Sequence, residues 1–181
     1  MSESLQALYE GDVDRARQML PPDADLSIFE AAAFGRVERL REPLAADPGS
    51  ASSFSDDGFT PLHLAVFAEE AESARVLIDH GADVDECSRG AIAQVSPLGT
   101  AAFVHSLDIA RLLLDAGADV NGRAAGGFTA LHSAASNGDL ALVRELLGRG
   151  ADPALETADG KTAADLAADE SVKALLNRDG G

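Results

Sequence analysis

The segment Gly160-Lys161-Thr162 contains the last part of the motif that forms phosphate-binding loops. In such a loop the backbone N–H groups cradle the phosphates, which requires a glycine five positions before the first residue of the triplet. That position is occupied by Leu155. Because the cradle is incomplete, we interpret the triplet as a turn and predict no nucleotide site.

Four histidines and one cysteine are the side chains best suited to bind a transition metal or to take part in nucleophilic catalysis. They are His63, His80, His105, His132 and Cys87. Their spacing matches neither His-Glu-x-x-His nor Cys-x-x-Cys, and Cys87 with His105 would be too few ligands for zinc. No Gly-x-Ser-x-Gly segment is present either. The sequence therefore predicts no metal, no cofactor and no catalytic residue.

The charge balance narrows the classes of partner. The 181 residues include 31 Asp and Glu but only 14 Lys and Arg, which gives a formal net charge of −17. Nucleic acids and anionic membrane surfaces are bound mainly through basic residues, so we predict neither as a partner. The chain shows no signal peptide, no run of about 18 apolar residues and only one cysteine. These features predict a cytoplasmic protein without disulfides.

Two sequence landmarks recur with the same period. The segment Gly58-Phe-Thr-Pro-Leu-His-Leu-Ala65 returns as Gly127-Phe-Thr-Ala-Leu-His-Ser-Ala134, and its Thr or Ser falls at positions 60, 96, 129 and 162. A Gly-Ala-Asp triplet begins at positions 81, 117 and 150. Both landmarks advance by 36 and then 33 residues. Two independent landmarks with one rhythm indicate a repeat protein.

Each repeat has the features of a helix, a turn and a second helix. Thr60 is suited to cap a helix with its hydroxyl, and Pro61 fits the first helical position, where a missing N–H costs nothing. The second helix has apolar residues three or four positions apart, as in Leu140, Val143 and Leu147. A glycine such as Gly150 then closes it in the left-handed conformation.

This pattern resembles the ankyrin repeat. The matching residues are Thr60-Pro-Leu-His-Leu-Ala65 with Gly81-Ala-Asp83, and Thr129-Ala-Leu-His-Ser-Ala134 with Gly150-Ala-Asp152. The resemblance implies an all-α solenoid of helix-turn-helix units joined by hairpin-like fingers, with about four repeats between two caps. The implied single domain spans residues 1–181, with a cap at 1–25, repeats at about 26–54, 55–86, 87–122 and 123–155, and a C-terminal cap at 156–181.

Several positions depart from the pattern. The glycine of the turn between the two helices is replaced by Glu69 in one repeat and by His105 in the next. The hairpin before Ser96 is three residues longer than the others, which predicts a protruding finger at residues 86–95. Insertions of this kind often lie on the binding face of a repeat protein.

The two ends of the chain carry weaker copies of the pattern. Residues 5–20 are interpreted as two short helices broken at Gly11, which would form the N-terminal cap. The last repeat lacks about four residues between Leu166 and Leu176, so we expect its second helix to be short. The polar outer residues of that helix suit a C-terminal cap.

In proteins of the ankyrin type, the hairpin tips and the exposed inner side of the first helix face the partner. The resemblance assigns to these positions Phe59, Phe67, Phe103, Val104 and Phe128. Exposed there, the side chains would form an apolar stripe of the kind that anchors binding interfaces. The alternative is that the phenylalanines pack on adjacent hairpins and alanine-rich helices and only stabilise the fold.

The favoured function is a small adaptor or inhibitor that binds another protein without catalysis. Asp56, Asp57 and Glu86 would form an acidic rim that speeds the encounter with a basic partner. One alternative is an acidic inhibitor that mimics nucleic acid, and a more remote one is an enzyme with an unrecognised carboxylate in a deep pocket. Two polar caps favour a monomer, although an exposed phenylalanine stripe could pair with a second copy.

Overall fold

The computed structural model describes residues 2–90 and 94–179, and in this part of the chain it contains twelve α-helices and no β-strand. The first six are α1 (Glu3–Tyr9), α2 (Val13–Gln18), α3 (Ile28–Ala33), α4 (Val37–Ala46), α5 (Pro61–Phe67) and α6 (Ala71–Asp79). The others are α7 (Pro97–Phe103), α8 (Leu107–Asp115), α9 (Ala130–Ser136), α10 (Leu140–Gly148), α11 (Ala163–Leu166) and α12 (Glu170–Asp179). The predicted all-α class is confirmed.

The helices are distributed over two compact units. Among the described residues, unit 1 contains residues 2–83 and 88–90, and unit 2 contains residues 84–87 and 94–179. Unit 1 therefore holds α1 to α6 and unit 2 holds α7 to α12. The division into caps and repeats within a single domain stays a prediction.

Side-chain caps fix where the helices of unit 1 begin. At the start of α3 the Glu30 N–H donates to Ser27 Oγ at 3.2 Å, and the Ser27 N–H donates to Glu30 Oε2 at 3.1 Å. Thr60 and His63 form the same reciprocal pair at the start of α5, where Pro61 is the first helical residue. Such pairs satisfy N–H groups that a helix start would leave without partners. The predicted helix start at Thr60 is confirmed.

Glu30 also ties the first helix to the third. Its Oε1 atom accepts a hydrogen bond of 2.7 Å from the Ser4 hydroxyl on α1, and the residue is only 5% exposed. Burial by itself raises the pKa of Glu30, but the hydrogen bonds from Ser4 and Ser27 outweigh it and hold the pKa below its usual value. The break between α1 and α2 at Gly11, where φ is +80°, is as predicted.

The cores of both units consist of leucine and alanine. The largest fully buried side chains are Leu40, Leu44, Leu62, Leu64 and Leu77 in unit 1, and Leu98, Ile109, Leu113, Leu131, Leu142, Leu146 and Leu176 in unit 2. Paired alanines on successive first helices, such as Ala101 with Ala102 and Ala134 with Ala135, are completely buried. Small side chains let neighbouring helices approach closely, so the α3–α5, α7–α9 and α9–α11 pairs pack side by side.

Backbone hydrogen bonds join the loops of successive repeats within each unit. The Arg89 N–H donates to the Gly58 carbonyl at 2.7 Å in unit 1, and the Ala158 N–H donates to the Gly126 carbonyl at 2.7 Å in unit 2. The prediction of a protruding finger at 86–95 is wrong for Ser88, which is 1% exposed. Arg89 is exposed, and its guanidinium lies 3.7 Å above the Phe54 ring. Residues 91–93 lie outside the described part of the chain.

The last repeat also differs from its prediction. Its second helix, α12, has ten residues, whereas its first helix, α11, has four. The first helix of this repeat is therefore the shortened one. Thr162 and Asp165 form a reciprocal cap that fixes the start of α11, and the helix ends at Leu166. Val172 and Leu176 of α12 remain free to fill the core at 0% and 2% exposure.

Two turn residues adopt a backbone conformation that favours glycine. Glu69 has φ of +59° and His105 has φ of +61°, whereas the equivalent turns use Gly35 and Gly138. The left-handed conformation is unfavourable for a residue with a Cβ atom.

We expect His105→Gly to raise the free energy of unfolding by about 0.5–1 kcal/mol, as measured by urea denaturation. Gly138→Ala is the opposite change and should lower the free energy of unfolding. If both variants raised it, or both lowered it, the interpretation would be contradicted.

Candidate functional site

The buried histidines are structural. The Thr129 N–H donates to Nδ1 of His132 at 3.2 Å, so that Nε2 carries the proton and donates to the Lys161 carbonyl at 3.1 Å. Burial, the largest influence, lowers the pKa of His132, although the carbonyl of Lys161 favours the charged form. His63 makes the same contact, since the Thr60 N–H donates to its Nδ1 atom at 3.4 Å. Both imidazoles hold a helix start in place.

In unit 1 the predicted partner-facing phenylalanines pack against Tyr9. The Tyr9 ring lies 5.9 Å from the Phe59 ring and 5.6 Å from the Phe67 ring, measured between centroids. Phe59 also contacts the ring of His63 at 5.9 Å. Tyr9 is the last residue of α1, so the N-terminal helix covers both phenylalanines. Their contacts are those of packing residues, and a contact with a partner stays a prediction.

The predicted acidic residues differ in environment. Asp56 is exposed, and Glu86 of unit 2 is partly buried. Asp57 accepts a 2.5 Å hydrogen bond from the Ser55 hydroxyl at Oδ1, while its Oδ2 atom is buried without a hydrogen bond and faces the equally buried Tyr9 hydroxyl. Burial and the Asp57 carboxylate raise the pKa of Tyr9 well above its usual value. Asp57 thus belongs in part to the interior of unit 1.

In unit 2 the corresponding phenylalanines are open to solvent. Phe103, the last residue of α7, is 65% exposed, and Phe128 is 40% exposed with its ring 5.8 Å from that of His132. Val104 follows Phe103 and is half-buried. The Asn137 amide donates to the Phe103 carbonyl at 3.4 Å, which fixes the neighbouring turn beside it. We define Phe103, Val104 and Phe128 as the apolar surface of unit 2.

No group of three or more metal-binding side chains is found among residues 2–90 and 94–179. In the same described part of the chain, none of the helices has the length and apolar character needed to span a bilayer.

The repeats match known protein families. A family model for ankyrin repeats in three copies matches residues 6–124, and a second model for ankyrin repeats in many copies matches residues 113–167. The chain belongs to the ankyrin-repeat family. No curated protein matches it at a significant level. Ankyrin repeats are generally protein-interaction modules and are generally non-catalytic.

Two side chains of this ankyrin-repeat protein escaped the sequence analysis. Tyr9 lies in a helix whose position against α5 depends on the fold, and no local pattern identifies it. Glu70 lines a cleft of unit 1 and is described below. The only sequence signal is the acidic residue itself. Glu70 follows Glu69 at the turn between the two helices of its repeat, and two other repeats have Arg36 and Ser106 at the position of Glu70.

Proposed function

We propose that this protein is a non-catalytic adaptor or inhibitor that binds another protein through the apolar surface of unit 2. The supporting observation is the 65% exposure of Phe103. Leaving a large aromatic side chain in water forgoes the favourable free energy of burying it, and aromatic side chains are enriched among the residues that dominate binding interfaces. Phe128 and Val104 would add apolar contact around this anchor.

The acidic charge would select the partner. With a net charge of −17, the protein attracts a basic surface at long range and raises the rate of encounter. Asp56 of unit 1, which is exposed, and Glu86 of unit 2, which is partly buried, would each add to this attraction. Polar caps and a lone cysteine support a monomer in the cytoplasm.

The experiment is a pull-down from a lysate of the source organism with three baits: wild type, Phe103→Glu and Ala141→Glu. Both substitutions add one carboxylate at an exposed position, but Ala141 lies on a second helix, α10, whereas Phe103 ends a first helix, α7. We expect Phe103→Glu to weaken partner capture at least tenfold, because a charge would replace the aromatic side chain that the partner would bury on binding. Ala141→Glu should bind as wild type does. Equal capture by all three baits would contradict the proposal.

The alternative of a nucleic-acid mimic is favoured by carboxylates that recur at the same position of successive loops. Asp119 and Asp152 hold this position and are both exposed, and the Asp119 N–H donates a 2.9 Å hydrogen bond to Asp85 of the preceding loop. Binding through such charges would weaken steeply as salt is raised and would be indifferent to Phe103→Glu. The salt dependence of the captured complex thus separates the two functions.

An enzyme would need a pocket with groups that exchange protons or attack a substrate. The described residues that line the cleft of unit 1 include Glu69 and Glu70 but no histidine, cysteine, serine or tyrosine. Glu69 is exposed, and two carboxylates without a nucleophile or an orienting partner do not form a catalytic set. We therefore retain binding as the proposed function.

A further inference from the structure

Unit 1 contains a cleft of about 230 Å³ with an apolar floor and a charged edge. The floor consists of Leu8 and Ala33, which are buried, together with the partly buried Phe34, Phe67 and Ala68. The edge carries Arg17, Glu69 and Glu70. An apolar floor with a few charged groups is the usual composition of a recognition pocket.

Glu70 is the charged group of this cleft that is partly buried, and its carboxylate has no hydrogen-bond partner among the described residues. Its side chain is half-buried, and its carboxylate lies over Gly35, at a distance where a Cβ atom on Gly35 would meet Oε2 at 2.5 Å. Arg17 and Arg36 lie close enough to lower its pKa, but burial outweighs them and raises the pKa above its usual value. Neither arginine comes within ion-pair distance of it, and Arg36 instead lies 3.8 Å from Asp23.

The Glu70 carboxylate has lost hydration without gaining a hydrogen-bond donor, and the attraction of Arg17 and Arg36 offsets that loss only in part. A cation placed beside it would restore that loss by a charge-assisted hydrogen bond. Arg17 is exposed and keeps its hydration, so a partner anion would gain less from Arg17 than a partner cation would gain from Glu70. The adjoining Phe34 and Phe67 side chains suit the aliphatic stem of a long basic residue, which covers apolar surface while its charged end is bound.

We propose that this cleft receives an arginine or lysine side chain of a partner protein, with an apolar neighbour on the floor and the cationic end at Glu70. The proposal rests on the proposed function, since it names the chemistry of the partner. It adds a second contact on unit 1 that is independent of the apolar surface of unit 2. It also agrees with the acidic charge of the whole chain.

The test uses the full chain and two peptides, acetyl-Leu-Arg-Leu-amide and the same peptide with citrulline, the neutral analogue of arginine. NMR titration gives both affinities and the shifted backbone amides. We expect the arginine peptide to bind wild type about tenfold more tightly than the citrulline peptide, with shifts at Ala33, Ala68 and Glu70. Equal affinities, or shifts confined to other residues, would overturn the proposal without any variant being needed.

Two matched variants assign the preference. Glu70→Gln should reduce the arginine-to-citrulline ratio to about one, whereas Glu38→Gln removes the same charge from an exposed position of unit 1 that does not line the cleft and should leave the ratio nearly unchanged. Equal ratios in the two variants would overturn the assignment to Glu70. Phe103→Glu should keep the ratio of wild type. Partner capture could require Phe103 while wild type binds the arginine and citrulline peptides with equal affinity. In that case the proposed function stands and this inference is overturned.

Discussion

We expect the replacement of His132 by alanine to lower the free energy of unfolding of unit 2 by about 3 kcal/mol. The imidazole is 1% exposed and joins the start of α9 to the following loop. Its loss leaves a cavity and removes the partner of the buried Thr129 N–H, whereas the Lys161 carbonyl keeps the hydrogen bond from the Thr157 N–H. Urea denaturation followed by circular dichroism measures the change.

His80→Ala is the control for the loss of a histidine. His80 is partly buried, and its Nδ1 atom contacts only the Val76 carbonyl of its own helix, at 2.7 Å. We therefore expect a loss below about 1 kcal/mol. If His132→Ala cost no more than His80→Ala, the link between successive repeats through the His132 imidazole would be refuted.

We expect the replacement of Tyr9 by alanine to lower the free energy of unfolding of unit 1 by about 3 kcal/mol. The Tyr9 ring fills the space against Phe59 and Phe67, and alanine leaves both aromatic faces without that contact. The same denaturation experiment measures this loss. It decides whether Phe59 and Phe67 serve the fold through α1.

Tyr9→Phe keeps the ring and removes only the hydroxyl. Because that hydroxyl is buried without a hydrogen bond, we expect a change within about 1 kcal/mol of zero. A small loss for Tyr9→Ala would show that the phenylalanines do not depend on Tyr9. A large loss for Tyr9→Phe would show that its hydroxyl bonds Asp57 and that the stability resides in that pair.

The features that local chemistry determines could be predicted from the sequence. Thr60 and Pro61 begin a helix because a hydroxyl cap and a fixed φ act over three residues. Gly81 ends one at φ of +87° because it has no Cβ atom. The replacement of turn glycines by Glu69 and His105 was visible as well, and both residues keep the left-handed conformation.

The environment of the phenylalanines could not be predicted, because it depends on contacts far apart in the chain. Phe67 and Phe103 occupy the same place in their repeats, yet Phe67 is covered by Tyr9 while Phe103 is exposed. The same contrast separates Phe59 from Phe128. A repeat pattern assigns equivalent phenylalanines the same role. They are distinguished only by the packing of α1 against the rest of unit 1.

The proposed contact between a partner protein and Phe103 can be measured directly. The most direct measurement places the photo-crosslinking residue p-benzoylphenylalanine at position 103 in one sample and at position 141 in another, and irradiates both in the source lysate. We predict a covalent adduct with a single partner from position 103 and none from position 141. Adducts of equal yield from both positions, or from position 141 alone, would contradict the account.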